Sequence, residues 1–152
     1  MDCTTNNNFR MINGENFEIK QVEPGNKCIS DRTSKLSEIA SDAKNMELGV
    51  LELELKKAKT EKEKKALQAK ISKLESSIDF SLTSRIMNEA NDILILGTLK
   101  GNYFEKGYFK CDGKEIDFTA EVLEEMPPEI YRMLLKNAEE LIEIKEAEEK
   151  NL

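Results

Sequence analysis

Histidine is absent from the 152 residues of this chain, and so is tryptophan. The missing imidazole excludes Ser-His-Asp and Cys-His catalysis, histidine acid/base chemistry and His-liganded zinc. Cysteine is scarce and scattered. Cys3, Cys28 and Cys111 form no C-x-x-C pair, and their odd number fits neither a secreted disulfide framework nor a thiolate metal site. Aromatic residues make up only 6% of the chain, so the core should be aliphatic. No apolar run exceeds Ile93-Leu94-Ile95-Leu96, far below the ~20 residues of a membrane span. The first residues, Met1 to Asn8, have neither a basic stretch nor an apolar one, so no signal peptide is read there. The expected setting is a reducing cytoplasm.

Charge, by contrast, is abundant: 30 acids against 23 bases give a net −7. Residues 112–152 hold 13 acids and five bases, a net −8, and residues 1–111 stand at +1. The acidity reads as a solvated helix face with a fraying acidic end, with opposite-sign docking between the two parts of the chain, or between molecules, as the alternative.

The patterning predicts an α+β fold, predominantly helical, with a disordered tail over 1–8 and a single domain over 9–152. Phe9 to Ile12 and Glu15 to Val22 read as an N-terminal β-hairpin, with Asn13-Gly14 between them suited to a type I′ turn. Asp31, Thr33 or Ser34 can cap a helix starting near residue 32. A heptad phase then runs through Leu36, Ile39, Ala43, Met46, Val50, Leu53, Lys57, Thr60, Lys64, Leu67, Ile71, Leu74 and Ile78. It predicts a long central coiled-coil-like segment over 32–78. Continuous helix is the preferred form. A helical hairpin broken at Thr60-Glu61-Lys62-Glu63, which has capping-box spacing, is the alternative. Leu48, Leu51 and Leu55 add a second apolar stripe on the opposite face of the same helix.

Asp79 or Ser81 can cap a further helix, with Gly97 at its C-terminal stop. A small β-meander follows: Asn102 to Phe104, Tyr108 to Cys111 and Lys114 to Phe118. The pairs Tyr103-Phe104 and Tyr108-Phe109 are expected in the core. Thr119 caps a short helix ending at Met126, and Pro128 opens a C-terminal helix whose apolar face includes Leu134, Ala138 and Leu141.

Little chemistry is legible. Asp112 and Asp117 flank a tight turn, where Asp is favoured for backbone reasons. Asp112-Gly-Lys-Glu-Ile-Asp117 lacks the ligand spacing of an EF-hand. Six lysines between Lys56 and Lys65, without arginine or aromatics, read as a solvated helix face rather than a nucleic-acid patch. No catalytic, cofactor-binding or metal-ligating residue is assigned, and no cofactor is expected.

Two stretches carry a resemblance. Phe9-Arg-Met-Ile-Asn-Gly-Glu-Asn-Phe-Glu-Ile-Lys20 resembles the opening hairpin of small tailed-phage tail assembly chaperones. Asp112-Gly-Lys-Glu-Ile-Asp-Phe-Thr-Ala-Glu-Val-Leu-Glu-Glu-Met-Pro-Pro-Glu-Ile-Tyr131 is similar to a closing segment of phage morphogenesis proteins. The resemblance implies a non-enzymatic assembly factor in the host bacterial cytoplasm. Its partner would be a tape-measure or tail protein, coated before the tube polymerises. That task needs exposed apolar helical surface kept soluble by charge. Met46, Leu48, Leu51 and Leu55 are the candidate partner-binding residues, and the acidic terminal helix is the candidate solubiliser. A homo-oligomer through the heptad seam is a further expected arrangement. The alternative function is a small acidic phage-encoded inhibitor of a host defence or nucleic-acid-binding protein.

Overall fold

The computed structural model describes residues 2–5, 8–40, 43–77 and 80–150. Among them, five strands form one antiparallel sheet: β1 (Asp2–Thr5), β2 (Phe9–Asn13), β3 (Phe17–Val22), β4 (Tyr108–Cys111) and β5 (Lys114–Glu115), side by side in that order. The described residues also form six helices: α1 (Asn26–Ala40), α2 (Ala43–Lys57), α3 (Glu61–Glu75), α4 (Phe80–Lys100), α5 (Ala120–Glu125) and α6 (Pro128–Lys150). The protein is α+β and predominantly helical, as the patterning predicts.

Two compact units divide the chain, where the sequence suggested one domain. A sheet unit comprises Met1–Thr33 and Glu89–Leu152, and a hairpin unit comprises Ser34–Asn88. The division falls inside α1 and inside α4.

The sheet unit follows period-2 logic. Arg10 pairs with Gln21, Ile12 with Ile19 and Ile19 with Phe109, so these side chains share one face. Arg10, Ile12, Ile19 and Gln21 on that face are buried, and Ile12 and Ile19 join Leu94, Leu99, Leu134 and Ala138 in the core. The opposite face mixes Glu18, Lys20 and Lys110 with Phe9, Met11, Tyr108 and the buried Val22. Tyr108 Oη donates to Glu18 there, and Lys20 Nζ lies 5.2 Å from the centre of the Phe9 ring.

Several expectations for this unit need correction. The tail expected over 1–8 is, over Asp2–Thr5, an edge strand in register from Asp2↔Asn13 to Thr5↔Arg10. Met1, Asn6 and Asn7 lie outside the described residues. Neither Asn13 nor Gly14 has a positive φ, so the hairpin does not use a type I′ turn. Gly14 N instead donates to Phe17 O at 2.9 Å, and the bend falls on Glu15-Asn16. The type I′ signature occurs at Asp112-Gly113, with φ values of 53° and 80°. The last strand stops at Glu115 rather than Phe118.

Helix α1 begins directly after Pro24-Gly25, six residues before the expected start. Thr33, one of the expected caps, sits within it and donates from its hydroxyl back to Ile29 O at 2.9 Å. Helix α4 runs through Gly97 to Lys100. Its left-handed stop is Gly101 (φ 84°), whose N donates to Gly97 O at 2.8 Å. Gly97 has a packing role: a Cβ there would fall 2.0 Å from Cys28 Sγ of α1. Thr119 and Pro128 behave as expected. Thr119 Oγ1 accepts from Val122 N at 3.3 Å, and Pro128 opens α6.

The hairpin unit corrects the continuous helix over 32–78. Helix α2 ends at Lys57, and the runner-up break at Thr60 is the one observed. Thr60 is extended (φ −107°, ψ 152°) and its hydroxyl accepts from Glu63 N at 3.2 Å. Glu63 reaches back to Lys59 N at 3.4 Å. Helices α2 and α3 contact each other, and Lys44 Nζ donates to Ser77 O at 2.6 Å, tying the open end. Ile78 and Asp79 lie outside the described residues.

Candidate functional site

Three buried polar side chains anchor the sheet unit. Gln21 Nε2 donates to Thr98 Oγ1 at 3.0 Å and to Leu134 O at 2.9 Å, and Asn137 Nδ2 donates to Gln21 Oε1 at 3.2 Å. This network fixes β3, α4 and α6 against one another, because a buried polar group left unpaired is costly. Arg10 adds an ion pair to Glu140 at 3.1 Å. Tyr131 Oη donates to Asp92, joining α6 to α4. Burial first, and then that bond, push the Tyr131 phenol above its ordinary range. Tyr108 is pushed up to about 12, chiefly by its hydrogen bond to Glu18. Burial likewise raises the Cys28 thiol, whose Sγ donates to Ile93 O at 3.4 Å.

Beside this frame lies an apolar groove of about 500 Å³. The sheet contributes Phe17, Ile19 and Phe109, the chain after β5 contributes Ile116, and the α5–α6 junction contributes Met126 and Ile130. Glu125 is the one charged residue in its lining. Glu121 and Glu124 on α5 and Glu129 at the start of α6 are exposed. The sequence reading missed this groove, because its walls come from segments a hundred residues apart.

Tyr103 and Phe104 are neither strand nor core. They are 91% and 89% exposed on the connection after α4. Asn102 Oδ1 accepts from Phe104 N and Glu105 N at 2.8 and 2.9 Å, forming an Asx-turn. Asn102 before two aromatics was the available signal. Tyr108 and Phe109 are half-buried in β4.

The four partner-binding candidates separate on α2. Leu48, Leu51 and Leu55 are half-buried on one side. Met46 lies on the other and is 59% exposed, in a row with Val50 at 54% and Leu53 at 58%. On α3, Leu67, Ile71 and Leu74 are half-buried and no residue is fully buried. The heptad phase therefore marks the outer side of α2 and the half-buried side of α3. No continuous seam passes through the segment.

Among the described residues, no three His, Cys, Asp or Glu side chains are grouped to hold a metal ion, and no helix is long and apolar enough to cross a membrane. Within these residues the structure has an exposed apolar row on α2 and an apolar groove on the sheet unit, with charged residues nearby. No family model, curated protein or solved structure matches this chain.

Proposed function

We propose that this chain is a non-enzymatic protein-binding assembly factor, of the phage tail assembly chaperone or scaffold-like kind, working in the host cytoplasm. The supporting observation is the exposed row Met46, Val50 and Leu53. Three large apolar side chains at 4–3 spacing on a helix accept the apolar stripe of a partner helix. Glu47, Glu52, Glu54 and Lys56 surround the row and keep it dispersed in water before the partner arrives. A long amphipathic helix, such as a tape-measure segment, has the matching chemistry.

The test is capture of the partner by wild type and by Val50→Glu plus Leu53→Glu, with the captured protein identified by mass spectrometry. The expected result is a long helical virion protein held by wild type and lost from the variant, while far-UV circular dichroism is unchanged. Equal capture of that protein by both forms overturns the reading.

The second reading, an acidic inhibitor of a basic host protein, draws on the exposed Glu143, Glu146, Glu148 and Glu149 at the end of α6. Salt separates the two. Binding through carboxylates weakens steeply as ionic strength rises, whereas binding through Met46, Val50 and Leu53 does not.

A further inference from the structure

Gly49 interrupts the outer surface of α2. It lies in mid-helix, where glycine costs stability against alanine. No positive φ calls for glycine there, and a Cβ at that position would meet no atom within 4 Å. Gly97 differs, because its missing side chain makes room for Cys28.

The open space at Gly49 borders the exposed row. Met46, Gly49, Val50 and Leu53 stand at i, i+3, i+4 and i+7, the four positions that frame a hole for a side chain from a facing helix. Met46, Val50 and Leu53 supply exposed apolar walls. The bare backbone at the fourth corner deepens the hole, so that it admits a large apolar side chain such as phenylalanine.

The two flanks of the row differ in charge. By helical spacing, the exposed Glu47 and Glu54 lie along one side. The other side carries Gly49 and the exposed Lys56, with Glu52 farther round, and Lys57 closes the C-terminal end of the row. A second copy matches this pattern poorly. Antiparallel pairing sets Glu47 of one copy against Glu54 of the other, and parallel pairing in register leaves Glu54 facing Gly49 with no cation. A helix with Lys or Arg beside its apolar stripe complements the Glu47 and Glu54 side.

We propose that the occupant of the α2 row is a basic amphipathic helix of a different protein, which seats one large apolar side chain over Gly49 and lays Lys or Arg along Glu47 and Glu54. This rests on the reading of the row as a docking surface and names the chemistry of its partner.

Fluorescence anisotropy of the full chain with three labelled synthetic helical peptides tests it. The first has a leucine stripe, one central phenylalanine and lysines along one flank. The second carries glutamates in place of those lysines, and the third alanine in place of the phenylalanine. Wild type is expected to bind the first at least ~10-fold more tightly than either of the others. Gly49→Ala should melt at a higher temperature yet lose about tenfold in affinity for the first peptide. Glu47→Lys plus Glu54→Lys should reverse the order of the first two peptides. Val50→Glu plus Leu53→Glu should bind none of them. Retained binding by that last variant overturns the docking surface itself, and this proposal with it. Loss of binding there, alongside a Gly49→Ala chain that binds as wild type does or a charge-reversed chain with unchanged preference, overturns this proposal alone. A wild type that binds no peptide, or that dimerises through Val50 and Leu53 in sedimentation velocity, overturns it too.

Discussion

Asn137 of α6 donates from Nδ2 to Oε1 of Gln21 on β3 at 3.2 Å, and both side chains are buried. Asn137→Ala leaves that Gln21 oxygen without this donor in a site closed to water. The expected loss is about 1–3 kcal/mol, read from urea unfolding. Gln21→Leu also strands the acceptors at Thr98 and Leu134, and should cost at least as much. The double variant should fall short of the sum, because the two residues act as one unit.

Gly97 of α4 packs directly against the Cys28 side chain of α1. Gly97→Ala pushes a methyl into Cys28 Sγ and should destabilise the chain by roughly 1–3 kcal/mol. That outcome runs against helix propensity, which favours alanine over glycine by about 1 kcal/mol. Cys28→Ala in the same chain should recover only part of the loss, since the Cys28 Cβ would itself lie 2.8 Å from the new methyl. Thermal melting of wild type and the two variants checks the order.

Tyr108 gives a pH signature. Its phenol ionises at about 12, against about 10 for an unhindered tyrosine. A raised folded-state value means the neutral phenol is favoured in the native chain. Its contribution to stability is full below about pH 10 and is lost as the pH rises towards about 12. Glu18→Gln should bring the phenolate absorbance change down towards the ordinary range. An ultraviolet titration measures it.

Thr60 controls the hairpin unit. Thr60→Ala removes the acceptor for Glu63 N and should cost about 1 kcal/mol of local stability. Hydrogen exchange should quicken at the start of α3 and leave the amides of β3 unchanged.

Local chemistry is where the sequence was most legible. The alternation at Phe17 and Ile19, the Asp112-Gly113 turn, the Thr119 cap and Pro128 each depend on a few neighbouring residues. The structure places all four as expected. Asp2–Thr5 escaped notice because its pairing with β2 is made by backbone groups and leaves no apolar alternation to read. The heptad phase misled for a different reason. Met46, Val50 and Leu53 share a register with Leu67, Ile71 and Leu74, yet Thr60 ends one helix path and starts another. The same register then marks an exposed row on α2 and a half-buried stripe on α3. The groove was invisible because Phe17, Phe109 and Ile130 meet only after β3, β4 and α6 have assembled. Gly97 looked like a stop because the sequence does not reveal that Cys28 would pack against it.

The central claim is that the outer row of α2 receives a partner helix. Hydrogen–deuterium exchange of the full chain, alone and with its captured partner, tests it most directly. Partner binding should slow exchange across the segment from Met46 to Leu53, with the amides of α3 changing less. Unaltered exchange over that segment, with protection confined to other parts of the chain, would contradict the account.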